Sequence, residues 1–110
     1  MKAPFPFKPT PVEEQLAEFA NLELAKRLNI IHDSPPDNCD FCGTDFDSHN
    51  LFIDGKIKNQ LLWANMCCEC FIREGETIRW GRGQLYMQEA PDRWLLIGGF
   101  DPELIDFHDD

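Results

Sequence analysis

The sequence has no continuous run of 18 apolar residues, the length that a membrane-spanning helix needs. Its first residues, Met1–Phe7, include one lysine but no apolar stretch as long as that of a signal peptide. The five cysteines are an odd number, and such a count without a secretory signal fits a reducing compartment. We therefore expect a soluble protein of the cytoplasm that has no membrane partner.

Motifs of the common enzyme classes are also missing. The chain has no H-E-x-x-H metalloprotease motif, no phosphate-binding loop and no dinucleotide fingerprint. The deaminase signature is absent because His49-Asn50-Leu51 lacks the glutamate of H-x-E. The two serines, Ser34 and Ser48, lack the G-x-S-x-G context of a hydrolase nucleophile. We therefore expect that the protein is not an enzyme.

Basic residues are scarce, because ten Lys and Arg stand against twenty Asp and Glu, for a formal net charge of −10. A zinc ion held by four thiolates would add about −2, since each cysteine loses a proton and the ion returns two charges. This charge disfavours attraction to DNA or RNA phosphates. It favours protein partners with a basic surface, although acidity serves only solubility in many proteins.

What the chain does contain is two C-x-x-C units, Cys39 with Cys42 and Cys67 with Cys70. One tight turn aims both thiolates of a unit at the same point, and two units close a tetrahedral shell with sulfurs at about 2.3 Å from the ion. The spacing therefore predicts one structural Zn²⁺ bound by these four cysteines. In a chain of 110 residues the core is modest, so metal binding would add to the free energy of folding.

Two alternatives to this ligand set remain open at the level of sequence. Cys68 is adjacent to Cys67 and could replace it, although a spectator thiol is the simpler interpretation. His49 could replace one cysteine, although a single histidine in a polar loop is more often solvated. Disulfides or a thioredoxin-like redox pair fit less well, because neither unit follows a strand in a βαβ pattern.

The remaining patterns divide the chain into four segments. Residues 1–11 form an arm rich in proline and phenylalanine, and residues 12–31 form one amphipathic helix with a capping box at its start. Residues 39–100 form the zinc-binding core domain, and residues 101–110 form an acidic tail that also carries apolar residues.

The order of elements around the cysteines predicts a small α+β domain of the treble-clef type. A zinc knuckle at residues 39–43 precedes a hairpin that turns at Asp54–Gly55. The second cysteine pair then opens a short helix, Cys67–Glu74, that stops at Gly75. C-terminal β-strands follow, and a zinc ribbon with both knuckles on hairpins is the alternative fold.

A family resemblance rests on three segments of the core. These are Trp63-Ala64-Asn65-Met66-Cys67, then Cys70-Phe71, then Gly81-Arg82-Gly83-Gln84-Leu85-Tyr86. Together with the upstream C-x-x-C and Asp54-Gly55-Lys56, they resemble small zinc-finger proteins of bacteriophages and other mobile elements. The resemblance covers roughly residues 39–86 and departs from the family at 74–80, where a glycine-rich stretch is usual. It implies a zinc fold and a phage-like origin rather than a particular activity.

These observations lead to one main hypothesis for function. The protein would act by protein–protein contact in a bacterial cell, as a phage-encoded modulator or inhibitor of a nucleic-acid machine. Its carboxylates would mimic nucleic acid and occupy a basic surface on a bacterial host protein or complex. The candidate partner-binding residues are Asp33, Asp37, Asp40, Asp45, Asp47, Asp101, Glu103, Asp106, Asp109 and Asp110.

Two alternative functions come from other classes of protein. One is a nucleic-acid-binding zinc finger, because arginine and aromatic side chains together suit stacking on single-stranded bases. Its candidate residues are Arg79, Trp80, Arg82 and Tyr86. The other is a structural or assembly subunit of a phage particle.

Overall fold

The computed structural model describes residues 5–106 and contains a four-stranded antiparallel sheet with helices on its faces. The strands are β1 (Leu51–Lys56), β2 (Trp63–Met66), β3 (Gly83–Ala90) and β4 (Arg93–Gly98), in the order β2-β1-β3-β4. The helices are α1 (Pro11–Leu16), α2 (Leu22–Leu28), α3 (Cys68–Glu74) and α4 (Pro102–Asp106), with 3-10 turns at Ala17–Phe19 and Phe46–Ser48. The small α+β class predicted from sequence is therefore confirmed.

Two short helices replace the single helix predicted over residues 12–31. The first begins as expected, with Pro11 at its first position and a capping box between Thr10 and Glu13. Ala20 then adopts an extended conformation, and the Asn21 side chain accepts a hydrogen bond from the Leu24 N–H at 3.0 Å. Asn21 thus starts a new helix, because its oxygen satisfies an otherwise unpaired amide there. The sequence does not show this break, because apolar residues recur every four positions from Val12 to Leu28.

The hairpin turn predicted at Asp54–Gly55 is wrong, because both residues lie inside strand β1. The chain reverses later, between residues 57 and 62, where the Ile57 N–H donates to the Leu62 carbonyl. A Cβ atom on Gly55 would lie 3.3 Å from the Gly83 Cα atom of the neighbouring strand. Glycine is used here for close approach of two strands rather than for a turn.

An aromatic cluster of Phe46, Phe52, Tyr86 and Trp94 fills one side of the sheet. The Phe52 ring stacks on Tyr86, with centroids 5.1 Å apart, and on Phe46 at 5.0 Å, while Trp94 meets its edge at 4.9 Å. Tyr86 and Trp94 lie in β3 and β4, which are C-terminal strands as the sequence predicts. Burial raises the pKa of Tyr86 to about 12, so its hydroxyl stays neutral over the physiological range.

Glu13 links α1 to Asn50, the residue before β1. This acidic residue is only 5% exposed. Its Oε1 atom accepts from the Thr10 N–H at 3.0 Å and from Asn50 Nδ2 at 2.9 Å, and its Oε2 atom accepts from the Asn50 N–H at 2.9 Å. Asn50 Oδ1 in turn accepts from the Phe7 N–H at 2.9 Å, which fixes the proline-rich arm. Phe5 packs partly against the core, whereas Phe7 is 45% exposed.

Replacing Glu13 by alanine is therefore expected to lower the free energy of unfolding by about 1–3 kcal/mol, because buried donors of Asn50 lose their acceptor. Urea denaturation measures this loss. Glu14→Ala is the matched control, since Glu14 is exposed on the same helix. Equal effects of the two substitutions would contradict the role assigned to Glu13.

Candidate metal centre

The first cysteine pair lies in a tight turn whose backbone amides point at sulfur. Cys39 Sγ accepts from the Phe41 N–H and from the Cys67 N–H, each at 3.4 Å. Gly43 closes the turn with a φ of 77°, and its N–H donates to the Cys39 carbonyl at 2.9 Å. This left-handed conformation favours glycine over residues that carry a Cβ atom.

The second pair lies at the start of α3. Cys67 is the residue that precedes the helix, and its carbonyl accepts from the Phe71 N–H at 2.9 Å. Cys70 lies in the first turn, so both thiols are close to the free amides of the helix N-terminus, which stabilise a thiolate. The helix ends at Glu74, before Gly75, as the sequence predicts.

The fold brings the four predicted ligands together. The Sγ atoms of Cys39, Cys42, Cys67 and Cys70 all lie within 4.8 Å of one another. The Cys42 and Cys67 sulfurs are 3.8 Å apart, and a tetrahedron with metal–sulfur bonds of about 2.3 Å has edges of about 3.8 Å. The four cysteines are therefore positioned to hold one metal ion.

The electrostatics of the cluster also favour a cation. Burial raises the pKa of Cys39, but N–H groups of Cys42, Cys67 and Phe41 outweigh it and lower the value to about 7. Burial raises the pKa of Cys67 and of Cys70. Three of the four thiols are buried and that of Cys42 is exposed. Four thiols this close together do not ionise unaided, because like charges repel, and a divalent cation removes this penalty.

Neither alternative ligand takes part in the cluster. Cys68 is only 4% exposed, and it lines a cavity of about 100 Å³ together with Glu13 and Asn50. Burial raises the pKa of its thiol. His49 packs edge-on against Phe46, and its Nδ1 atom lies 3.2 Å from the Ser48 hydroxyl. The structure thus favours the predicted set over both exchanges.

Arg73 also contacts the cysteine cluster, a role that the sequence did not predict. Its Nη2 atom donates to Cys70 Sγ at 3.3 Å, which places a positive charge beside a candidate thiolate. The signal in the sequence is the spacing of three residues between Cys70 and Arg73 on one helix, since such residues share a face.

Arg73→Ala is expected to weaken zinc binding by about tenfold, because the substitution removes a hydrogen bond to a ligand. Competition with a chromophoric chelator measures the dissociation constant. Arg79→Ala is the control, since Arg79 is also exposed but is absent from the contacts of the cysteines. An unchanged affinity in Arg73→Ala would show that the contact does not stabilise the site.

The predicted partner-binding carboxylates fall into two groups. Asp33, Asp37, Asp40, Asp45 and Asp47 are all exposed, in the segment that leads to and includes the knuckle. Repulsion from Asp45 raises the pKa of Asp47, and Asp92 in the β3–β4 turn adds to this effect. Asp101, Glu103 and Asp106 follow the opposite end of β4, in and before α4. Asp109 and Asp110 lie outside the described residues, as do residues 1–4 of the arm.

The alternative set for nucleic-acid binding is not brought together as a stacking surface. Tyr86 is 7% exposed and lies in the aromatic cluster, so its ring is not available to a base. Arg82 donates to the Glu76 carboxylate at 2.7 Å, whereas Arg79 and Trp80 are exposed. Of the four candidate residues, Arg79 and Trp80 therefore remain available to a nucleic acid.

Comparison with family models, with curated proteins and with solved structures finds no match to the chain. The resemblance of residues 39–86 to phage zinc-finger proteins consequently stays a prediction. Among residues 5–106 no helix is long and apolar enough to cross a membrane. The structure itself therefore defines the class: a small α+β domain with a four-cysteine site for one metal ion.

Proposed function

We propose that the protein is a structural zinc domain of the treble-clef type. The observation that carries this proposal is the clustering of four sulfurs within 4.8 Å, contributed by a knuckle and by the first turn of a helix. A knuckle, a β-hairpin (β1 and β2) and a helix follow one another in the chain. A zinc ribbon fits less well, because the second cysteine pair lies on α3 rather than on a hairpin.

The bound Zn²⁺ would cross-link the knuckle to α3 and to the end of β2. Soft thiolate ligands in a tetrahedral arrangement select zinc over hard cations such as Mg²⁺ and Ca²⁺. Four thiolates also leave no coordination position for water or substrate, which is the mark of a structural rather than a catalytic site. This supports a role as a binding domain and not as an enzyme.

We propose further that the domain acts through protein–protein contact, as a phage-encoded modulator or inhibitor of a bacterial nucleic-acid machine. The net charge of −10 and the exposed carboxylates of residues 33–47 support a partner with a basic surface. The Asp45 carboxylate is oriented by the backbone, because its Oδ1 atom accepts from the Asp47 N–H at 2.9 Å. A carboxylate held in this way suits the mimicry of a phosphate.

Co-purification from bacterial lysate, with nuclease treatment of half the sample, tests this function. A stoichiometric protein partner that survives nuclease is the expected result. The partner should be lost on combined Asp45→Lys and Asp47→Lys substitution. It should be retained on Glu23→Lys, which reverses the charge of an exposed residue of α2. Material that disappears on nuclease treatment would instead favour nucleic-acid binding through Arg79 and Trp80. Binding that is indifferent to every carboxylate reversal would reject the mimicry.

A further inference from the structure

Exposed apolar side chains are concentrated at one end of the sheet, which we name the Lys56 end. Strand β1 ends there at Lys56 and β4 ends there at Gly98, while β2 and β3 begin there at Trp63 and Gly83. Nine large apolar side chains are exposed among residues 5–106, and seven of them belong to residues at or beside this end. The seven are Phe19, Leu61, Leu62, Trp63, Ile72, Trp80 and Leu104. A concentration of this kind marks an interaction surface.

The loop of residues 57–62 is fixed against α3 rather than free. The Lys58 N–H donates to the Glu74 carbonyl at 2.8 Å, and Lys58 Nζ reaches the carbonyls of Ile72 and Arg73 at 3.5 and 3.4 Å. Leu61 nevertheless remains 92% exposed. Contacts with α3 therefore order the backbone of this loop, while its leucine side chains remain exposed to solvent.

The charges at this end are divided into two halves. The basic half, residues 56–63 and 72–82, contains five basic and two acidic residues, although the whole chain carries −10. One carboxylate, that of Glu76, pairs with both Lys56 and Arg82, at 3.0 and 2.7 Å. Arg73 faces Cys70 Sγ at 3.3 Å, but the other four basic residues still outnumber the two acidic ones. Charges elsewhere on the chain are screened over about 8–10 Å at physiological ionic strength, so a partner meets net positive charge at the basic half.

The acidic half, residues 99–106, lies beside the basic half. It contains three acidic and no basic residues, and it exposes Glu103 and Leu104 on α4. An open cleft of about 450 Å³ separates the halves, with Arg79 and Trp80 on one wall and Phe100 and Pro102 on the other. The same end of the molecule thus presents a basic apolar surface and an acidic apolar surface on either side of a cleft.

We propose that two copies of this chain associate through their Lys56 ends, about a two-fold axis that passes through the clefts. A two-fold rotation places the basic half of each copy on the acidic half of the other, so every contact is made twice. Exposed leucines from both halves would fill the clefts and be removed from water. A second copy is the partner that fits this face, because the face carries both the basic half and the acidic half that would pair with it.

Sedimentation velocity on the full chain with bound zinc tests this proposal. A dimer is expected at about 100 µM chain, and Leu61→Asp should raise its dissociation constant by about tenfold or more. Phe7→Asp is the control, because Phe7 is similarly apolar and exposed but contacts Asn50, at the opposite end of β1. A monomer at every concentration, or equal effects of the two variants, would overturn the proposal.

A charge exchange separates self-association from loss of folding. Arg79→Glu and Glu103→Lys should each be monomeric alone, since each leaves like charges facing one another. An equimolar mixture of the two variants should form a heterodimer, because both contacts across the axis are then between opposite charges. Lys8→Glu, at the far end of β1, should leave the wild-type dimer intact. Failure of the mixture to associate would overturn the proposed pairing of halves.

Discussion

Replacing Cys39 by serine will abolish stoichiometric zinc binding and remove the stability that the metal contributes, whereas the same change at Cys68 will leave both in place. Both side chains are almost fully buried, at 3% and 4% exposure, so the two substitutions perturb packing to a similar degree. They differ because Cys39 Sγ belongs to the four-sulfur cluster and Cys68 does not. The pair therefore isolates the contribution of the metal.

The expected size of this effect follows from mass action. Free zinc at about 1,000 times its dissociation constant stabilises the folded state by about 4 kcal/mol, and the Cys39 variant forfeits this contribution. Thermal unfolding of both variants, with and without a zinc chelator, measures it. The chelator should lower the Tm of the wild type and of Cys68→Ser but leave Cys39→Ser almost unchanged. A Cys39 variant that still responds to the chelator would remove this residue from the ligand set.

Phe52→Ala is expected to lower the free energy of unfolding by about 3–5 kcal/mol, the usual cost of removing a buried aromatic ring. Phe52 is fully buried in β1, one of the two inner strands, and the rings of His32, Phe46, Tyr86 and Trp94 contact it. Its loss leaves a cavity that the stacked rings of Phe46 and Tyr86 cannot fill without leaving their own positions. The offset and edge-to-face contacts add to the area that Phe52 buries.

Urea denaturation of Phe52→Ala, compared with Phe19→Ala, measures this loss. Phe19 is 52% exposed, so its substitution should change stability by no more than about 0.5 kcal/mol. The variant should keep its zinc, because none of the four metal ligands belongs to the aromatic cluster. A loss below about 1 kcal/mol would show that the cluster is not the centre of the core.

The cysteine cluster and α3 were predictable because their signals are local. The turn between two cysteines three residues apart is encoded in the pair itself, and Gly43 gives it the conformation it needs. Cys67 and Gly75 mark the two ends of α3 in the same direct way. Short-range chemistry of this kind does not depend on the rest of the fold.

The features that sequence did not predict depend on contacts between distant residues. Asp54–Gly55 has the composition of a turn, but Gly55 lies in a strand because Gly83 of β3 packs against it. Glu13 satisfies a local capping rule, yet its burial results from Asn50, 37 residues away. Tyr86 is near arginines in the sequence, but its ring stacks on Phe52 of the neighbouring strand β1. No local pattern encodes these partners.

X-ray absorption at the zinc edge, combined with the ratio of zinc to protein, tests the central claim most directly. One zinc per chain is expected, surrounded by four sulfur atoms at about 2.3 Å. The ratio should fall in the Cys39, Cys42, Cys67 and Cys70 variants and remain at one in the Cys68 variant. A nitrogen or oxygen atom bound to the zinc, or a purified chain that takes up no zinc, would contradict a site of four cysteines.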